Sequence, residues 1–165
     1  MKINTAGGLF SSPEALLDFM QSIQYSEFIA LMSPIEVVIH KFGSCHDQAM
    51  LEMQELQEEG LNPIAKFIMS VDEDMQGQET HSFVYYPLDG KWYWFENAWE
   101  DVRGIREYEN EQELIDSVMF AFGRRNFGKL YIADLIPSEH SVGEDLQTFV
   151  DICMNSAQEY QYHQP

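Results

Sequence analysis

The segment HSFVYYPLDGKWYWFENA, residues 81 to 98, constrains the fold more than any other stretch. Asp89-Gly90 sits between two runs rich in aromatic residues, and such a pair favours the two-residue turn of a β-hairpin. That turn sets Leu88 against Lys91, Phe83 against Glu96 and His81 against Ala98. Glu96 then lies on the His81 face, one diagonal step away. A four-residue turn would set Glu96 directly opposite His81. Either even-length turn sends Asn97 to the far face; an odd-length turn or a bulge would offer Asn97 instead. Phe83, Tyr85, Trp92 and Trp94 share the His81 face, and Val84, Tyr86, Tyr93 and Phe95 share the other. Two apolar faces imply a central hairpin covered on both sides, or one face left open as a binding surface.

Helical patterns precede this hairpin. SSPEALLDFMQSI has a serine cap and Pro13 in its first turn. SPIEVVIHKF repeats the Ser-Pro start at Ser33 and Pro34, and Gly43 is expected to stop it. A third helix begins near Cys45, with Ala49, Met53 and Leu56 on one stripe and Met50 beside it. Acids and glutamines are expected on its other side, and Gly60 suits its C-terminal end. PIAKFIMSV reads as a strand and DEDMQGQET as a polar loop, with the next strand beginning at His81. Asn110 caps EQELIDSVMFAF, with Glu113 placed for a capping box. KLYIADLI is another strand. A last helix, roughly 142 to 160, places Leu146, Phe149, Val150, Cys153 and Ala157 on one face. Helices first, then a strand-rich half closed by helices, predict one α+β domain over residues 1–165 with an antiparallel sheet.

Charge narrows the partners. Twenty-eight acids against nine bases give a net charge of -19. Phosphates would be repelled, so neither nucleic acid nor an anionic membrane is an expected partner. MKINTAGGLF lacks the apolar core of a signal peptide, and no apolar run reaches bilayer length. Two cysteines, Cys45 and Cys153, make no disulfide framework. A cytoplasmic, soluble chain with reduced thiols is the expectation.

The two cysteines differ in setting. Cys153 lies mid-helix in an apolar stripe and reads as core. Cys45, in GSCHDQAM, stands at a helix start, where unpaired N–H groups and the macrodipole favour negative charge. Helix N-termini lower thiol pKa values, and the thiolate is the nucleophile. Gly43 leaves room for substrate backbone, and the first-turn N–H groups suit an oxyanion hole. A nucleophilic thiol needs a base. His40 belongs to the preceding helix, and His140 and His163 lie in polar surroundings. His46 adjoins Cys45, so its side chain is turned away around the helix. His81 follows a loop at the edge of the hairpin, within reach of Glu96, which would hold its tautomer. Trp99, just beyond, could wall the cleft. Asp47 complements the helix start, although its charge opposes thiolate formation.

GSCHDQAMLEMQELQEEG and HSFVYYPLDGKWYWFENAWEDVRGI together resemble the transglutaminase-like superfamily, the papain-type thiol fold, in its compact bacterial or phage form. The resemblance covers residues 43 to 105, somewhat over a third of the chain. It implies Cys45 as nucleophile, His81 as general base and acid, and Glu96 as orienting acid, with Asn97 as the alternative. The cleft residues implied are Gly43, Ser44, His46 and Trp99. The chain departs from the pattern twice: Glu96 stands where an aspartate is usual, and His46 where an aromatic is common.

The resulting expectation is a thiol enzyme acting on an amide or acyl bond of a protein or peptide through an acyl-thioester. The alternative is a weak or silent module that uses its acidic surface to bind a protein partner. No cofactor is expected. Asp72, Asp74, Gln76 and Gly77 imitate a calcium loop, but Phe83 stands where the bidentate glutamate belongs. Cys45, His46, Asp47 and His81 match no standard zinc spacing.

Overall fold

The structure, a computed structural model, describes residues 9–27, 30–72, 78–125, 128–135 and 142–161. Asp74, Gln76, Gly77, His140 and His163 lie outside the described residues.

The hairpin sets the frame. Strands β4 (Gln78–Leu88) and β5 (Lys91–Glu96) pair with Leu88 against Lys91 and Val84 against Phe95, the register expected of the Asp-Gly turn. Asp89 and Gly90 both have positive φ, as a primed two-residue turn requires. Strand β4 starts at Gln78, three residues ahead of the start expected at His81. Its extra residues pair with β3 (Ile64–Val71), where Val71 meets Gln78.

Before the sheet come α1 (Pro13–Met20), β1 (Gln24–Tyr25), α2 (Pro34–His40), β2 (Phe42–Gly43) and α3 (Cys45–Glu58). Helix α2 is stopped by Lys41, whose φ of 56° is left-handed, and not by Gly43. Gly43 instead sits in β2, parallel to β1. Gly60 closes α3 as expected. The Leu61 and Gly60 N–H groups donate to the Leu56 and Gln57 carbonyls, a Schellman pattern.

After β5 come β6 (Gly104–Tyr108), α4 (Glu111–Arg125), β7 (Lys129–Asp134), α5 (Leu146–Ser156) and β8 (Gln158–Glu159). Asn110 Oδ1 accepts from the Glu113 N–H at 2.9 Å, the expected cap of α4. The last helix stops at Ser156, short of residue 160, because the chain turns to pair Gln158 and Glu159 with β7.

The protein is therefore α+β, with a six-stranded antiparallel sheet ordered β6-β5-β4-β3-β7-β8. The sheet is covered on both faces. Val84, Tyr86 and Phe95 pack with Leu16, Val37, Leu51 and Phe149 on one side. Phe83, Tyr85 and Trp94 pack with Leu114, Val118 and Phe122 of α4 on the other. Each large apolar side chain so buried stabilises by roughly 1.5–3 kcal/mol relative to exposure. Among the described residues, no helix is long and apolar enough to cross a membrane.

Helix α3 is buried far beyond its apolar stripe. His46, Asp47, Gln48, Glu52 and Glu55 are all buried, contrary to the expected polar side. The reason is visible in their partners. Asp47 Oδ1 accepts from the Met32 N–H and Glu55 Oε2 from the Leu9 N–H. Main-chain groups of the N-terminal segment thus satisfy Asp47 and Glu55, while His46 bonds Ser82 and Gln48 bonds Asn97.

Candidate active site

Ser44 caps α3, its Oγ accepting from the Asp47 N–H while Asp47 Oδ2 accepts from the Ser44 N–H at 3.0 Å. This capping box commits Ser44 and Asp47 to the helix start, not to a substrate wall. Gly43 is likewise internal. A Cβ there would meet Asp47 Cβ at 3.1 Å and Val37 Cγ2 at 3.4 Å, so its bareness serves the packing of α2 and α3. The Gly43 carbonyl accepts from Gln48 Nε2 at 3.0 Å and from the Ser26 N–H.

The β4–β5 pairing ends at Val84–Phe95, so His81 has no registered partner on β5. At this gap the start of α3 reaches across, and the Cys45 thiol and the His81 imidazole influence one another's charge. His81 Nε2 in turn bonds Glu96 Oε2 at 2.8 Å. Glu96 Oε1 accepts from the Trp99 N–H at 3.0 Å, so both carboxylate oxygens are held. The Trp99 indole stands edge-on to the His81 ring, with centroids 5.6 Å apart. Cys45, His81 and Glu96 are 4%, 7% and 2% exposed.

Electrostatics follow from this packing. Burial opposes a charged Cys45, but His46 first and His81 second outweigh it and bring the thiol down to about 5. Burial likewise opposes the His81 imidazolium; the Glu96 charge and the neighbouring thiol overcome it and raise the ring to about 10. Between those values the favoured state is a thiolate–imidazolium pair. The Asp47 carboxylate, engaged in the cap, does not prevent it.

Asn97 takes no part in orienting His81. Its Nδ2 donates to the Met20 carbonyl at 2.9 Å and to Gln48 Oε1 at 2.8 Å, on the far side of the strand. The even-length turn explains this, since it directs Glu96 and Asn97 to opposite faces. His46 Nδ1 lies 2.5 Å from Ser82 Oγ, and its ring stands beside Phe67 and Phe149. His40 is remote, stacked on Phe42. Among the described residues, no group of three His, Cys, Asp or Glu side chains is arranged to hold a metal ion.

Two neighbours of the thiol, Tyr25 and Glu52, escape sequence reasoning. Tyr25 interacts electrostatically with Cys45, and its hydroxyl donates to Glu27 Oε1 at 2.8 Å. It is placed by the pairing of Tyr25 with Gly43, two residues from the thiol. Glu52 is buried two helical turns from Cys45 on the same side of α3; burial, then the Glu96 charge, hold its carboxyl well above the usual range. Gln48 lies on that side too, and the i, i+3, i+7 spacing was the available signal for both. A cleft of about 1170 Å³ opens beside the site, with Tyr25, His81 and Trp99 on its wall.

No family model and no curated protein matches the chain. Among solved structures, the catalytic domain of the Salmonella virulence factor SseI is similar at 16% identity. The match covers 74% of this chain and 76% of that one, with a TM-score of 0.45. At that level the chemistry has to be read from the geometry of this chain alone.

Proposed function

We propose that the protein is a thiol enzyme of the transglutaminase-like kind, cleaving or transferring an amide or acyl group of a protein or peptide. The observation that carries this reading is the buried trio of Cys45, His81 and Glu96, with His81 Nε2 bonded to Glu96 Oε2 at 2.8 Å and the thiol and imidazole interacting electrostatically. A thiol, an imidazole and a carboxylate in that order are a nucleophile, its base and the orienter of the base.

The Cys45 thiolate attacks the carbonyl carbon and forms a C–S bond. The carbonyl π pair moves to oxygen. The capping box occupies the Asp47 N–H, and the Gln48 N–H donates to the Ser44 carbonyl. The N–H groups of Cys45 and His46 are the first-turn donors left for the oxyanion. His81, whose Nε2 is held by Glu96, delivers a proton from Nδ1 to the leaving amine as the C–N bond breaks. Water, deprotonated by His81, then attacks the thioester and releases an acid. An amine in place of water gives a new amide. Hydrolysis, deamidation and transamidation share the first half-reaction, and the proposal is common to all three.

One observation favours the silent binding module instead: Cys45 is only 4% exposed. p-Nitrophenyl acetate separates the readings. An enzyme gives a burst of p-nitrophenolate and an acetyl adduct on Cys45, absent in Cys45→Ala and persistent in His81→Ala, which cannot activate water. Cys153, buried in the core, serves as the internal control. Acetylation of Cys45 no faster than that of Cys153 would sink the enzyme reading and leave the module.

A further inference from the structure

We infer that the cleft beside His81 takes a basic side chain of the substrate, seated on the Trp99 indole near Glu79, Glu100 and Asp101, and that Arg125 occupies this seat in the free protein. The inference rests on the thiol-enzyme reading and names its substrate class.

The cleft holds about 1170 Å³ and carries five carboxylates against one arginine. Charge alone would be a solvated face; the grouping around Trp99 gives it a place for a ligand. Glu79 stands two residues ahead of His81 on β4, so the two share a face of the strand. Glu100 and Asp101 follow Trp99 directly, in a tight turn over Glu100–Val102. The indole itself is fixed. Its backbone N–H donates to Glu96 Oε1, and its ring meets those of His81, Trp94 and Phe122 edge-on. The Arg125 guanidinium lies over the same ring, with Cζ 5.7 Å from the centroid.

Two observations point to a ligand on this indole. Trp99 lines the cleft and is 8% exposed, yet among the described residues its Nε1 has no hydrogen-bond partner. An indole N–H only donates, so an acceptor is what it lacks. Leaving it unmet is costly, and a peptide carbonyl is the acceptor that a substrate brings. The second observation is Arg125 itself, a cation already over the ring. It is the exposed last residue of α4, and among the described residues it forms no ion pair with a cleft carboxylate. A cation is drawn to an aromatic face, and to tryptophan most strongly. Exposed side chains change rotamer quickly, so a substrate cation can take the place of Arg125. An acidic side chain would be repelled by the same wall. The Trp99 and His81 rings are 5.6 Å apart, and consecutive Cα atoms are about 3.8 Å apart. The basic residue is therefore the one bearing the reacting acyl group, or its neighbour.

The probes are 4-nitrophenyl esters of Nα-benzyloxycarbonyl lysine, norleucine and glutamate. Norleucine keeps the lysine chain without its charge. Nitrophenolate release is read as kcat/KM, with Cys45→Ala giving the background. The lysine ester should exceed the norleucine ester by about ten-fold or more at low salt, with the glutamate ester slowest. The lysine-to-norleucine ratio should rise in Arg125→Gln, which vacates the seat. It should fall in Trp99→Leu, and in the triple variant Glu79→Gln, Glu100→Gln, Asp101→Asn. Arg125 and the three acids are exposed, so replacing them leaves the core intact. Equal rates for the lysine and norleucine esters overturn the inference. So does a wild-type ratio in both Trp99→Leu and the triple variant, or a ratio that does not rise in Arg125→Gln. A preference for the glutamate ester that is lost in Arg125→Gln overturns it as well, and makes Arg125 the receptor of a substrate carboxylate. If no ester gives Cys45-dependent release, the thiol-enzyme reading itself falls; release without preference sinks the inference alone.

Discussion

At the residue scale, Glu52 shows how burial decides the charge of a group. The Cys45 cluster already contains the Glu96 carboxylate, and a second buried negative charge beside it is costly. Glu52 therefore keeps its proton well above the usual value of 4.5, because of burial first and the Glu96 charge second. The sign of the consequence is fixed by linkage. Above the ordinary carboxylate range the unfolded chain has released this proton, while the folded protein still holds it. The folded state binds more protons, so the Glu52 contribution to stability falls as pH rises through that window. Glu52→Gln replaces a neutral acid by a neutral amide and removes this slope. Urea denaturation midpoints of the two proteins, followed from the acidic to the alkaline side, should converge at low pH. The wild type should lose ground to the variant as pH rises. Parallel curves would mean that Glu52 ionises normally in the folded protein.

At the element scale, the residue just before β7 packs closely against the backbone at the end of β3. Gly128 has a φ of 118°, and a Cβ added there would lie 2.1 Å from the Val71 carbonyl oxygen at the end of β3. Main chain cannot yield as a side-chain tip can. Gly60, at the end of α3, has a φ of 90° with nothing near its absent Cβ. Gly60→Ala should therefore cost only left-handed strain, of order 1–2 kcal/mol. Gly128→Ala should cost more, because strain and collision add. Thermal unfolding of the pair decides it, at about 2–4 °C per kcal/mol for a chain of this size; equal losses would mean that β7 gives way. Such contacts are illegible in the sequence, since Gly128 and Val71 meet only in the folded sheet. The hairpin was legible because Asp89-Gly90 fixes a turn length, and turn length fixes parity. That parity put Glu96 beside His81 and sent Asn97 away. Tyr25 was not legible, because a two-residue parallel pairing carries it to the thiol from a segment with no motif of its own. The polar side of α3 misled for a related reason. Asp47 and Glu55 are met there by backbone groups of Met32 and Leu9, and backbone groups leave no mark in a side-chain pattern.

At the scale of the whole molecule, the question is how a net charge of -19 reaches one thiol. Most of that charge is spread over the surface, and at physiological salt it is screened beyond about 8 Å. The cleft concentrates part of it. Glu27, Glu79, Glu100, Asp101 and Asp145 line the same cavity as His81, with Arg125 as its lysine- or arginine-type cation. Low-dielectric walls focus such a field and raise the local concentration of cations. A reagent approaching Cys45 past Tyr25 and His81 should feel it. Two methanethiosulfonates of similar size make the measurement, one carrying a trimethylammonium group and the other a sulfonate. Their rate ratio at Cys45, divided by the ratio for a small free thiol, should favour the cation by about ten-fold or more at low salt. The imidazolium of His81 works against this ratio, so a cationic preference would be the stronger evidence for the cleft carboxylates. Added salt should collapse it. The triple variant Glu79→Gln, Glu100→Gln, Asp101→Asn separates the cleft from the rest of the surface. It removes three charges of the nineteen, so a ratio set by the total would barely move, whereas one set by the cleft should fall by more than half on a logarithmic scale. A ratio equal to that of the free thiol would mean that the field stops at the surface, and that substrates are not sorted by charge on their way to the site.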